Sequence, residues 1–325
     1  MMIISKTPLR ISFVGGGTDI ESFYKNHPGA VLSTGIDLFV YCIIQKRFDD
    51  LVVVNYSKKE VVNNVNEVKH DLVREAMKKA GIYNGVEITT LSDIHSKGSG
   101  LGSSSSITVG LLNAFYSYMG LQKSNKEIAE DACDIEINIM KSPIGKQDQY
   151  AASYGGLRKY TFNQDGRVDE ERIILDNKTK EQLNSNLFLV YTGVVREANT
   201  VLSEQKNNAV KNDNNLIEIS KMPDILIEKL KDGNVDDLGK MLHENWMIKK
   251  QLTSNMSKLE IDELYDLGLN SGAVGGKLLG AGGGGFILFY VPEDKQATFK
   301  KNIQDKYRIL PIHLENAGTR IVFYD

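Results

Sequence analysis

The chain has 325 residues, which at roughly 150 residues per domain predicts about two domains. Its 39 Lys+Arg against 42 Asp+Glu leave a formal charge of −3, too balanced for a whole-protein basic field, so general nucleic-acid binding is not expected. Two cysteines far apart, Cys42 and Cys133, exclude a disulfide scaffold and a cysteine-rich metal centre, and fit a reducing cytoplasm.

In chain order, Ile3–Ser5, Leu9–Val14, Leu38–Phe48 and Leu51–Tyr56 are rich in Val, Ile, Phe and Tyr and are expected as strands. The polar residues Asn63–Asn66 mark a loop. His70–Ala80 has helical character and ends at Gly81, a natural C-cap. Val86–Leu91 is a further strand. Beyond a glycine-serine run, Ile107, Leu111, Phe115 and Met119 recur every four residues, an amphipathic helix closing at Gly120. A second helix starts at Ser124, where Glu127 completes a capping box. Ile128, Ala132, Ile135 and Ile139 mark its buried face, and Pro143 bounds it. Strand Leu157–Phe162 leads into a polar stretch, Asn163–Glu171, where a domain boundary near residue 165 is placed. The second half opens on strand Leu187–Tyr191. Helices follow from Glu197 to about Leu252, with the single tryptophan, Trp246, in their core. A helix at Leu259–Leu269, a strand at Phe286–Val291, a helical stretch at Pro292–Tyr307 and strands at Ile309–His313 and Thr319–Tyr324 complete the chain.

Lys6 and Arg10 interrupt the apolar N-terminal stretch, so no signal-peptide core is expected there. Val274–Val291 is broken by Lys277 and seven glycines and is too short and interrupted to span a bilayer.

The 29 glycines, about 9% of the chain against roughly 7% on average, fall largely into three clusters. Gly98-Ser-Gly-Leu-Gly-Ser-Ser-Ser-Ser106 lies between a predicted strand and a predicted helix. Glycines let the backbone turn tightly and approach a ligand. Free N–H groups and the dipole of a helix start favour an anion, and serine hydroxyls can donate to phosphate or ligate magnesium. No Walker string G-x4-G-K-[ST] occurs, and Ser103 stands where a dinucleotide turn needs its third glycine. A flexible Gly/Ser linker is the bland alternative. Gly280-Ala-Gly-Gly-Gly-Gly285 precedes a strand and no helix; it is either a tight turn or a second glycine loop closing over the first. Gly15-Gly-Gly-Thr-Asp19 follows a strand, and Asp19 either N-caps a helix over 20–26 or accepts hydrogen bonds from substrate hydroxyls.

These three clusters, in this order, resemble the motifs of the GHMP kinase superfamily. Pro8 to Asp19 resembles the first motif, Gly98 to Ser106 the phosphate loop, and Lys277 to Gly285 the C-terminal glycine loop. Gly145-Lys-Gln-Asp-Gln-Tyr150 with Gly155-Gly156, and Tyr191-Thr-Gly-Val-Val-Arg196, are similar to the branch of sugar-1-kinases that includes heptose 7-phosphate kinases and fucokinase-like enzymes. Gly16 and Gly17 replace the Glu-His pair of galactokinases, which argues against galactose. Ser105 and Ser106 stand where many relatives carry alanine.

The resemblance implies an α+β, two-domain fold. Residues 1–165 would form an N-terminal α/β domain of ribosomal-S5 type, which admits a left-handed βαβ connection. Residues 166–325 would form a ferredoxin-like α+β domain carrying the third motif. It also implies ATP and Mg²⁺. Gly98, Gly100, Leu101, Gly102, Ser103, Ser104 and Ser105 would hold the nucleotide phosphates. Asp148 would be the catalytic base, against its alternative as a helix cap for 149–153. Arg10 would keep Asp148 ionised and stabilise charge on the transferring group, against a surface ion pair.

Glu136, a charge between Ile135 and Ile137, suggests a cleft or rim position, and by resemblance would ligate Mg²⁺ with Ser104; Asp131 and Asp134 are its nearest rivals. Gly16, Gly17, Thr18, Asp19, Asp148, Gly193 and Arg196 would face the acceptor, with Arg196 suited to clamp a second phosphate. The five histidines are scattered and form no zinc pair.

The implied activity is ATP-dependent phosphorylation of an anomeric C1 hydroxyl, foremost that of D-glycero-α-D-manno-heptose 7-phosphate. Rival readings are an L-fucokinase-like enzyme, a silent sugar/ATP sensor on the same fold and an ATP-dependent decarboxylase. The expected partner is a small-molecule sugar or sugar phosphate, with neither nucleic acid nor membrane, in the cytoplasm; a homodimer is left open.

Overall fold

In the computed structural model, which describes residues 1–94, 98–194, 213–252 and 256–325, the two N-terminal apolar strings merge into one strand, β1 (Met2–Val14). Lys6 does not break it, because its ammonium lies 3.7 Å above the Phe39 ring. Pro8, which has no N–H to donate, coincides with a register shift between Pro8 and Leu9. A short helix α1 (Glu21–Tyr24) and a long strand β2 (Gly29–Lys46) follow, then β3 (Val52–Asn55) and β4 (Lys59–Val62). Next come α2 (Asp71–Ala80) and β5 (Val86–Ser92). The predicted C-cap of α2 is present, with Gly81 left-handed at φ 77°.

The glycine-serine run opens α3 (Ser103–Tyr118), and α4 (Asn125–Cys133) carries the predicted capping box between Ser124 and Glu127. Helix α3 is buried on nearly every side instead of amphipathic: Thr108, Val109, Leu111, Leu112, Ala114 and Phe115 are all inaccessible. It runs through the centre of the N-terminal core, under β1 and β2.

After α5 (Gln147–Tyr154) come β6 (Arg158–Phe162) and β7 (Val168–Arg172). The polar stretch expected as a loop at 163–171 therefore contains a strand, held by opposite charges such as Lys159 facing Glu171 and an Arg158–Glu170 ion pair. The expected boundary near 165 falls inside this hairpin. Helix α6 (Asn177–Asn186), capped by Asp176, leads to β8 (Leu187–Tyr191). Helices α7 (Asp213–Lys231), α8 (Asp236–Lys250) and α9 (Leu259–Asn270) enclose Trp246, which is fully buried. The chain ends with β9 (Gly275–Leu278), β10 (Phe286–Tyr290), α10 (Gln296–Ile303), β11 (Ile309–Pro311), β12 (Leu314–Glu315) and β13 (Arg320–Tyr324).

The strands make two sheets. The larger has the main order β13-β1-β2-β5-β3-β4, with β6 and β12 also paired to β2 and β7 paired to β6; the smaller has the order β11-β8-β10-β9. The last two strands thus leave the C-terminal half: β13 pairs with β1, placing Tyr324 opposite Ile3, and β12 pairs with β2. Two packed α+β units, tied by this returning tail, give the expected fold class. Among the described residues no helix is long and apolar enough to cross a membrane.

Candidate active site

A cleft of about 360 Å³ opens between β1, the start of α3, the start of α5 and the C-terminal end of α8. On one wall lies the glycine-serine loop. Gly98, Gly100 and Gly102 all have positive φ (70°, 76° and 72°), which only glycine adopts without strain. Gly102 is the N-cap of α3 and, with no side chain, caps nothing. The first N–H groups of the helix, from Ser103 to Ser105, have no partner within the helix and face the positive end of its dipole. This is an open anion site built from backbone. The serines divide the remaining work. Ser103 bonds Ser99 (Oγ to Oγ 3.0 Å), and Ser106 donates to Pro8 O at 2.9 Å, tying the loop to β1. Ser104 is exposed towards the cleft and donates to Glu136 Oε1 at 2.8 Å.

The second glycine loop packs onto the first. A Cβ on Gly100 would lie 2.5 Å from Leu279 O, one on Gly280 2.6 Å from Gly100 Cα, and one on Gly285 2.5 Å from Ser99 O. The close approach needs glycine on both sides, which decides against a simple turn at 280–285.

Across the cleft, Arg10 meets Asp148 in a two-pronged pair. Nε donates to Oδ1 at 2.8 Å and Nη2 to Oδ2 at 2.6 Å, while Nη1 donates to Gly100 O at 2.7 Å. Arg10 is 4% exposed and Asp148 25%. One guanidinium therefore fixes the carboxylate in place and ties it to the phosphate loop. Asp148 lies within the first turn of α5 and is not its cap, and Arg10 is no surface ion pair.

Asp19 does not cap the helix that follows it: α1 has Ile20 at its N-cap with no side-chain bond. Its carboxylate accepts from Gln147 N (3.2 Å), Gln147 Nε2 (3.1 Å) and Gly17 N (3.2 Å), and lines the cleft beside Gly16, Gly17 and Gly145. Burial, with Asp148 nearby, pushes its pKa up. Thr18 is placed otherwise than expected. Its hydroxyl is spent on Gly15 O and Ala30 O at 2.8 and 2.9 Å, so it shapes the turn and does not face the cleft. Leu101 is also buried in the core; its backbone oxygen accepts from Arg10 N at 3.0 Å, so its part is to seat the loop. Gly193 is not among the described residues lining the cleft. Arg196 lies outside the described residues.

Glu136 owes its position to a change of helix pitch. After α4 the chain winds as a π-helix over Asp134–Ile139, with Met140 N bonding Ile135 O at 2.9 Å. The extra residue in the turn shifts the phase. Glu136 turns inward to 1% exposure, whereas Ile139, expected in the core, is 48% exposed. Gln149 Nε2 donates to Glu136 Oε2 at 2.6 Å, and burial raises the pKa of the carboxyl despite bonds from Ser104, Ser105 and Gln149. The rivals are spoken for: Asp134 pairs with Lys79 at 2.8 Å and Asp131 accepts from the Tyr116 hydroxyl at 2.7 Å. A hard dication takes oxygen ligands, commonly one or two carboxylates plus phosphates. A desolvated carboxylate 2.8 Å from an exposed hydroxyl, both lining the cleft below the anion site, fits Mg²⁺.

Two buried lysines complete the surroundings: Lys249, which the sequence did not single out, and Lys277, which it marked only as a break in an apolar stretch and the start of the third motif. Lys249, near the end of α8, is buried and lines the cleft, with its Nζ 3.2 Å from Gly280 O. Lys277, on β9, is wholly buried and donates to Phe13 O at 3.0 Å and Asn245 Oδ1 at 2.9 Å, pinning the second half to the end of β1.

The N-terminal model of the GHMP kinases matches residues 55–156 and their C-terminal model residues 226–309. D-glycero-α-D-manno-heptose 7-phosphate kinase of Campylobacter jejuni is 30% identical over 320 residues, covering 93% of each chain. The chain belongs to the GHMP kinase family. It is a sugar kinase. An L-fucokinase/L-fucose-1-P guanylyltransferase of Bacteroides fragilis is 26% identical over 92% of this chain, which spans 35% of that longer enzyme. Among solved structures, a D-glycero-D-manno-heptose 1-phosphate kinase from Bacteroides thetaiotaomicron superposes with a TM-score of 0.83 over 99% of both chains at 24% identity, a likeness of fold. Kinases of this family take their phosphoryl group from ATP, generally with Mg²⁺.

Proposed function

We propose that this GHMP kinase transfers the γ-phosphoryl group of ATP to the anomeric C1 hydroxyl of D-glycero-α-D-manno-heptose 7-phosphate, giving the 1,7-bisphosphate. The observation that carries the reaction type is the Arg10–Asp148 pair, at 2.8 and 2.6 Å, fixed through Gly100 to an uncapped helix N-terminus. That arrangement brings an anion site and a proton acceptor to one cleft, which is what in-line phosphoryl transfer requires. The sugar is supported by the Campylobacter relative and by the Gly16-Gly17-Thr18-Asp19 turn.

In this reading the backbone amides of Ser103, Ser104 and Ser105 hold the donor's phosphates. Ser104 and Glu136 hold Mg²⁺, which neutralises phosphate charge when bound. Asp148 takes the proton of the acceptor hydroxyl as its oxygen attacks. Arg10 keeps that carboxylate aligned until the proton moves. Asp19 accepts from sugar hydroxyls beyond the reacting one. Residues 1–165 then supply the phosphate loop and the base, and residues 166–325 supply the glycine loop that closes over them.

The test is coupled ADP release over a panel of sugars and sugar phosphates. We expect kcat/KM to be highest for heptose 7-phosphate. A free hexose such as L-fucose turning over faster reassigns the acceptor, and the absence of ADP release with every C1-hydroxyl sugar rejects the reading.

A further inference from the structure

The cleft holds one strong donor that the reading above leaves without a task. Lys249 is 4% exposed, yet its single hydrogen bond among the described residues goes to a carbonyl, Gly280 O, at 3.2 Å. An ammonium has three protons to donate, and burying it without partners is costly. The nearby carboxylates do not meet that demand. Asp148 is engaged on both oxygens by Arg10, and Asp19 by Gln147 and Gly17. The spare protons of Lys249 therefore face the cavity it lines.

Its location says what belongs there. Gly280 presses on Gly100 of the phosphate loop, and a Cβ on Gly16, in the acceptor turn, would stand 3.9 Å from Lys249 Nζ. The ammonium thus sits where the donor's loop meets the acceptor's loop. We propose that Lys249 is a second catalytic cation, donating, alongside Arg10, to the oxygens of the phosphoryl group in transit. The inference rests on the kinase reading. As the bond to the donor's bridging oxygen breaks and the bond to the acceptor oxygen forms, the acceptor's proton passes to Asp148 and Lys249 keeps all of its own. It is contributed by the C-terminal half, so transfer requires both halves.

The charged groups facing Lys249 are Asp19 and Asp148, which favour its ammonium form, and Arg10 and Lys277, which oppose it. Burial outweighs the carboxylates and brings its pKa down to about 8 in the free protein. The required form is the protonated one, so kcat/KM falls as pH rises through that value.

Steady-state ADP release by the full chain, measured across pH for wild type, Lys249→Met and Lys249→Arg, tests this. Lys249→Met should lower kcat by about 10²–10³-fold, the usual cost of one transition-state donor. The loss should be the same for phosphorylated and unphosphorylated acceptors. Lys249→Arg, permanently charged, should retain part of the rate and move the alkaline limb upward. Turnover of Lys249→Met within threefold of wild type, an alkaline limb unmoved in Lys249→Arg, or a loss confined to phosphorylated acceptors overturns the inference. Should Lys249→Met not fold, the limb in Lys249→Arg decides alone. Wild type inert on the whole panel overturns the kinase reading and this inference with it; an active wild type with the Lys249 results reversed overturns this inference only.

Discussion

At the scale of single residues, the site is a set of charges each held in place by named partners. In the proposed mechanism Asp148 is the group that receives the acceptor's proton. Asparagine keeps its shape and its place beside Arg10 but cannot accept a proton. We expect Asp148→Asn to lose about 10²–10⁴-fold in kcat, the range for a general base, with nucleotide affinity by calorimetry unchanged. Wild-type turnover removes the assignment. Asp19 was legible as a carboxylate closing a glycine turn and Glu136 as a charge between apolar positions, whereas Arg10 and Asp148 were reached through the family resemblance. Lys249 was reached by neither route. Lys249 and Lys250 both fall in the last turn of a helix, a favourable place for any cation. Lys250 pairs with Asp262 at 2.6 Å. The signal was helical phase: Leu242, Asn245, Trp246 and Lys249 share one buried face, and a lysine in that series has to face something polar. Thr18 misled in the opposite way, because a hydroxyl in a glycine turn serves ligand and backbone equally well on paper.

At the scale of elements, two glycine loops in contact and one change of helix pitch make the cleft. Gly280 has φ 72° and no room for a Cβ against Gly100. Gly81 has a similar φ of 77° but open space around it. Substituting alanine at either imposes a strained backbone, costing about 1–3 kcal/mol. Gly280→Ala also wedges the loops apart. We therefore expect both variants to lose thermal stability, but only Gly280→Ala to raise the KM for ATP. An equal effect on KM from Gly81→Ala contradicts this account of the loops. Periodicity could not reveal the π-turn that swings Glu136 inward, because one inserted residue moves every later position by about a quarter turn. The expected burial of Ile139 failed for that reason. Strand β7 escaped because its partner satisfies charges where a strand pattern needs apolar residues, and β9 because two of its four residues are glycine.

At the scale of the molecule, the halves are not strung end to end. The last strand returns to the first, Lys277 reaches from the smaller sheet to Phe13 at the end of β1, and the loop at 279–285 lies on the loop at 98–102. None of this was legible locally, since pairing Ile3 with Tyr324 spans nearly the whole chain. What the sequence did carry was the order of three glycine clusters, and the fold brings two of them into contact and the third across a cleft. The proposed function requires one spatial arrangement: the amides at the head of α3 grip the donor's phosphates within reach of Asp148. A crystal structure with a non-hydrolysable ATP analogue, Mg²⁺ and heptose 7-phosphate tests it directly. The account predicts phosphate oxygens on the backbone N–H groups of Ser103–Ser105 and the sugar C1 hydroxyl hydrogen-bonded to Asp148. A triphosphate lodged elsewhere, or a C1 hydroxyl turned away from Asp148, contradicts it.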